Sequence, residues 1–261
     1  VERKLSQQRK WAEIVEMGLE MKKKRRQSIA GAVLVRGSID RQLVDATSSS
    51  LARRASAGRQ PVLLMIGGGM SAGKSTAVKT MLSSSDFWRT HQASAVTVEA
   101  DKFKMHDPVF QALTSTFRRG GGAAKLVHSH STEAAEKLFI HAVNEARDIV
   151  FDGTMSWRPF VEQVVAMVRD GRFDYARGRG WIAPAAEGGA AVEEYFVRVA
   201  TPRAAPRPAY RVEVLGVTCA LDVAVARALR RTLETGRGVP LRSQVSCLLF
   251  TVTNVRESCS Q

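Results

Sequence analysis

The sequence predicts an α/β fold, a doubly wound parallel sheet with helices on both faces. Three observations predict it. Short runs rich in β-branched or large apolar residues recur from Pro61 onward, each is followed by a stretch of helical spacing, and a glycine-rich turn joins the first run to its helix.

The elements follow in order. Val62 to Ile66, Ala95 to Glu99, Asp148 to Phe151 and Val212 to Val217 read as buried parallel strands, because apolar runs this short and continuous suit a strand covered on both faces. Lys74 to Leu82, Thr132 to Ala146, Pro159 to Val168 and Leu221 to Leu233 are the intervening helices. In the third of these, Phe160, Val161, Val164, Val165 and Val168 share one face. Ligands of such sheets gather beyond the carboxyl ends of the strands. Gly178 to Pro208 interrupts the pattern; its Ala, Gly, Pro and Arg content reads as an inserted mobile loop.

At 261 residues, with 44% hydrophobic and 25% charged residues, the chain has material for one substantial core. Its net charge of +14 points to an acidic partner. That charge is uneven. Residues 1–60 hold 14 Lys or Arg against 6 Asp or Glu, with the densest run at Lys22, Lys23, Lys24, Arg25 and Arg26. Leu5, Trp11, Ile14, Val15 and Leu19 precede that run at roughly helical spacing, so the segment reads as an amphipathic basic helix. An acidic protein such as calmodulin, a membrane interface or a nucleic acid would each suit it, as would plain solvation of a flanking helix. Ser48 to Arg59 then reads as a linker. The expected layout is a basic extension over 1–60, an α/β domain over 61–245 with an insert at 178–208, and a divergent or truncated end over 246–261. No apolar run reaches the roughly 18 residues of a membrane span and no secretory start is seen. Cys219, Cys247 and Cys259 form no disulfide or metal pattern, so free thiols, a soluble chain and a cytoplasmic or nuclear location are expected.

Gly68-Gly69-Met70-Ser71-Ala72-Gly73-Lys74-Ser75 satisfies the phosphate-loop pattern G-x-x-x-x-G-K-[ST], directly after an apolar strand. Amides of such a loop curl around phosphate oxygens, which needs glycine where a Cβ would clash or φ is positive. Lys74 adds a charge for the β and γ phosphates, and the Ser75 hydroxyl can ligate Mg²⁺. Gly68 through Thr76 is therefore the candidate ATP-binding stretch, in a P-loop version of the α/β fold. The guanine-reading N-K-x-D motif is missing from the sequence, which argues against a GTPase.

Two acids follow in order. Val96-Thr97-Val98-Glu99-Ala100-Asp101 carries Asp101 to the carboxyl edge of the second strand, suited to take a proton from a hydroxyl nucleophile or to cap the helix that follows. Asp148-Ile149-Val150-Phe151-Asp152-Gly153 delivers Asp152 where a P-loop protein faces its metal through water; a turn aspartate before glycine is the plain alternative. His128, His130 and His141 have no recognisable metal spacing and read as helix-entry and surface residues, with contact to an acceptor the alternative for His130.

The set GGGMSAGKST, VEADKFKMHDP, VHSHSTEAA, DIVFDGTMSW and RRTLETGRGVP occurs in the order seen in the zeta-toxin family of P-loop kinases, which this chain resembles from about Pro61 to Pro240. The resemblance implies a helical lid and transfer of the γ phosphoryl of ATP, with Mg²⁺, to a sugar hydroxyl of UDP-N-acetylglucosamine. It implies Asp101 as general base, Thr154 in the acceptor pocket, and Arg231 and Arg237 as phosphate clamps. Planar guanidinium groups suit that last task, since the transition-state charge is spread over equatorial oxygens. Lys102-Phe103-Lys104 and His106-Asp107-Pro108 depart from the bacterial pattern, and the basic extension looks more like plant and algal zeta-domain proteins. The expected function is a small-molecule kinase acting on a hydroxyl acceptor. The alternative is a nucleotide-binding interaction module, catalytically lapsed, that works through its basic amino-terminal segment.

Overall fold

The computed structural model describes residues 59–111, 127–182 and 192–235. The basic segment, Arg237, Cys247, Cys259 and the end of the chain lie outside the described residues.

Strand β1, Val62–Gly68, is buried at every position and forms the middle of the sheet. Strands β2, Val96–Glu99, β3, Ile149–Asp152, and β6, Arg211–Val217, complete a four-stranded sheet in the order β2-β3-β1-β6, with all three pairings parallel. Alternating side chains of β1 feed two cores. Leu63 and Met65 join the larger core with helix α4, His128–Asn144, and helix α5, Arg158–Arg169. Val62, Leu64 and Ile66 join the other, with helix α1, Lys74–Ser84, and helix α2, Asp86–His91, whose Trp88 is fully buried. The expectation of helices on both faces is met. Along α4 the positions Ser131, Ala134, Ala135, Leu138, Phe139, Ala142 and Val143 are buried, the three-and-four spacing that puts one helix face on a sheet.

The expected loop at 178–208 is a correction. Strand β4, Phe173–Ile182, and strand β5, Val192–Pro202, pair antiparallel as a separate ribbon. Phe139, Phe151, Phe160, Tyr195 and Phe196 form a chain of ring contacts at 5.0 to 6.0 Å that fixes the ribbon to α4, β3 and α5. The segment after it is held too. Arg207 is buried and donates to the carbonyls of Met167, Val168 and Asp170, so a cation satisfies the end of α5. A Cβ on Gly171 would lie 2.0 Å from the Arg207 carbonyl oxygen, which requires glycine there. The same composition that suggested mobility is used for close backbone approach and for capping.

Candidate active site

The site forms at the carboxyl ends of β1, β2 and β3, where three loops meet. Gly73 precedes α1 with φ of 100°, no side chain caps this helix, and Ser71 also has positive φ, at 63°. Alternating positive-φ and helical residues turn backbone N–H groups toward a common concavity. Thr76 and Ala77 N–H donate to Gly73 O at 3.1 and 3.2 Å, and the amides of Lys74 and Ser75 come before the first intrahelical acceptor. The Lys74 ammonium donates to the Gly68 carbonyl at 3.0 Å. A Cβ on Gly68 would lie 2.8 Å from the Lys74 Cγ and from the Val217 carbonyl oxygen, so glycine is what lets the lysine stem cross its own loop.

Asp152 ends β3 and registers against Ile66 of β1 on one side and Glu99 of β2 on the other. Burial raises its carboxyl above the usual range. Lys74 opposes that shift, and Glu99 and Asp101 add to it. Four of the residues that the sequence singles out by motif or strand end thus share one electrostatic neighbourhood. Asp101 differs from expectation in detail: β2 ends at Glu99, and Asp101 is the second residue of helix α3, Ala100–His106, whose cap is Glu99. It is therefore not the helix cap. Its Oδ1 accepts from the Lys104 ammonium at 2.7 Å.

The loop after β3 is tied to the phosphate loop. Gly153 N–H donates to Ile66 O at 3.1 Å, and Gly68 N–H donates to Thr154 O at 3.3 Å. Met155, at φ of 50°, slides its side chain under Gly67, where a Cβ would lie 2.9 Å from the sulfur. The Thr154 and Ser156 hydroxyls are 2.7 Å apart.

Two further helices also reach the site, one of them through Arg227, which no motif marks. Helix α6, Leu221–Thr235, brings Arg227 to the phosphate loop, donating to Ala72 O at 3.3 Å, while Arg231 is exposed one turn further on. Their four-residue spacing puts both on one helix face, a signal present in the sequence. His128 begins α4 and is held below the usual imidazole range by burial and then by Lys104, with Asp101 acting the other way. The amino end of α4 thus stands beside α3. His130 Nδ1 lies 3.1 Å from the buried Asp107 carboxylate, which also accepts from the amides of Val109 and Phe110.

The residues fit ATP with Mg²⁺. The uncapped, glycine-shaped loop with a lysine across it is an anion cradle. Among the described residues no cluster of three or more His, Cys, Asp or Glu could hold a metal by itself. One hydroxyl from Ser75 and one carboxylate from Asp152 are the sparse oxygen set that Mg²⁺ uses when phosphates and waters fill the rest of its shell.

The zeta toxin family model matches residues 47–172. The calmodulin calcium-dependent NAD kinase of Arabidopsis thaliana is 41% identical over 197 residues, covering 72% of this chain and 36% of that protein. The chain therefore spans about a third of its relative. Two solved structures share the fold: the PezAT toxin-antitoxin system of Streptococcus pneumoniae, at TM-score 0.53 and 14% identity over 85% of this chain and 69% of that one, and AvrRxo1-ORF1:-ORF2 with ATP, at 0.55 and 17% over 85% and 58%. Through its P-loop kinase-type domain, the chain belongs to the zeta toxin family.

Proposed function

We propose that this domain transfers the γ phosphoryl of ATP to a hydroxyl of a nucleotide-type acceptor, with NAD the first choice. The observation that carries the reading is that Lys74, which crosses the phosphate loop, and Asp101, at the start of α3, both act electrostatically on Asp152 at the carboxyl end of β3. The relative named an NAD kinase supports the acceptor; a UDP-N-acetyl sugar, the acceptor implied by the family resemblance, is the competing choice.

ATP would supply the phosphoryl group and Mg²⁺ would lower the charge on its oxygens. Lys74 exchanges the Gly68 carbonyl for a phosphate oxygen, and the loop amides orient the chain of phosphates. Asp101 accepts the proton of the attacking hydroxyl, and Lys104 fixes the carboxylate that does so. Arg227 and Arg231, with Arg237 beyond the described residues, neutralise the spreading charge from the α6 side. Thr154 lines the acceptor side. Ser75 and Asp152 would hold the metal, which would offset charge on the phosphate oxygens.

The test uses the full chain with labelled ATP, Mg²⁺ and either NAD or UDP-N-acetylglucosamine. Label should pass to NAD. Lys74→Ala should weaken ATP binding roughly ten- to a hundredfold, the worth of a charged hydrogen bond. Asp101→Asn should keep ATP and lose about 10²- to 10⁴-fold in transfer. Transfer to the sugar nucleotide alone would change the acceptor; ATP binding with no transfer to either would favour an interaction module.

The relative's calmodulin dependence also supports reading the basic segment up to Arg26 as a site for an acidic calcium sensor. Deleting residues 1–30 should abolish any stimulation by calcium-loaded calmodulin and leave unstimulated turnover unchanged. A response that survives the deletion would move the sensor's site elsewhere.

A further inference from the structure

Two exposed tryptophans flank Glu193 beside this site, one through a hydrogen bond and one through cross-strand pairing. Trp157 precedes α5, three residues after Thr154, so its Cα lies within about 11 Å of that residue. Its side chain is 51% exposed, and its indole N–H donates to Glu193 Oε2 at 2.6 Å. The Tyr195 hydroxyl donates to the same oxygen at 3.1 Å. Trp181, 58% exposed, is the direct cross-strand partner of Glu193 in the ribbon, so both side chains stand on one face. Gln163 of α5 fixes this arrangement, donating to Glu193 O at 3.0 Å and accepting from Tyr195 N at 2.8 Å.

An indole buried by packing needs no further account, but these two are each more than half exposed while their surroundings are held in place. Each face carries the negative lobe of the ring quadrupole and attracts a cation. Glu193 adds a full negative charge next to them. A neutral planar ring gains stacking alone from such a site; a positively charged planar ring gains stacking and both electrostatic contributions.

We propose that Trp157, Trp181 and Glu193 form an acceptor subsite for a cationic aromatic ring of the pyridinium class. This rests on the reading that the acceptor is a dinucleotide of NAD type, and it adds that the oxidised form, whose pyridine ring is charged, is selected over the reduced form. The three residues recognise the ring and take no part in the phosphoryl transfer.

Calorimetric titration of the full chain with nicotinamide mononucleotide, oxidised and reduced, tests it, with Mg²⁺-ATP titrated in parallel as a report on the fold. The oxidised form should bind about fivefold or more tightly than the reduced form. Trp157→Leu and Trp181→Leu should each weaken the oxidised form about three- to tenfold with ATP unchanged. Glu193→Gln, nearly isosteric, should abolish the preference. Equal affinity for the two forms, binding of neither, or wild-type affinity in both tryptophan variants overturns the subsite. If Trp157→Leu also loses ATP, Trp181→Leu and Glu193→Gln decide. Phosphorylation of NAD without preference for the oxidised ring would sink the subsite and spare the acceptor reading; selective binding of the ring without transfer to NAD would do the reverse.

Discussion

Asp148 and Asp152 lie four residues apart, one just before β3 and the other at its end, and they have opposite surroundings. Asp148 stands at the amino edge of the sheet, buried and fully engaged. Its oxygens accept from the Arg59 guanidinium at 3.0 and 2.6 Å and from Val62 N–H at 2.9 Å, and its carbonyl accepts from Val96 N–H at 2.8 Å. It ties the starts of three strands together. Asp152, at the carboxyl edge, has a raised pKa through burial, with two further acids near it and Lys74 as the leading countercharge. One edge spends its carboxylate on holding strands together; the other keeps one whose ionised form burial disfavours.

The comparison can be broken at either end. The largest effect is expected from Asp148→Ala, which strips partners from a guanidinium and a buried amide and should cost about 3 kcal/mol, at the low end for a buried pair because Arg59 keeps some contact with water. Urea unfolding measures it, and the ATP affinity of the folded fraction should stay unchanged. Asp152→Asn should do the converse. Mg²⁺ affinity in the ATP complex should fall about 10- to 100-fold, with unfolding free energy unchanged or raised. A loss of stability in Asp152→Asn would mean that the carboxyl edge is structural too.

The smallest effect sharpens the contrast through pH. Burial lifts the Asp152 pKa above its unfolded value, so the folded chain holds that proton longer, and ionisation costs stability as pH rises past the unfolded value. Metal binding runs the other way. Mg²⁺ affinity should decline as pH falls through the raised pKa, and Asp152→Asn should lose that dependence. An identical pH profile in the variant would remove Asp152 from the metal.

The main sheet was legible because each of its strands is a short apolar run and its helices turn an apolar face, buried or half-buried, to the core; observed boundaries fall within four residues of the expected ones. The phosphate loop was legible for the same local reason, since its glycines answer to backbone constraints that composition records directly. The ribbon was not. Gly178 reads as a loop residue, yet it stands in β4 because a Cβ there would lie 2.2 Å from the Glu194 carbonyl oxygen. Arg207 reads as surface charge, yet it caps α5 from within. Arg227 was passed over because nothing local distinguishes it from Arg230 or Arg231; only the docking of α6 on the phosphate loop does. All three residues make long-range contacts from ordinary sequence neighbourhoods.

The Gln163 amide forms a fork between α5 and β5, and because Trp157 opens α5 while Glu193 belongs to β5, the same fork sets the distance between them. It works as the rivet of a pair of calipers. Jaws built this way keep their gauge when the strands around them drift, and they do so without any contact from Lys74 or Asp152 at the end of the main sheet.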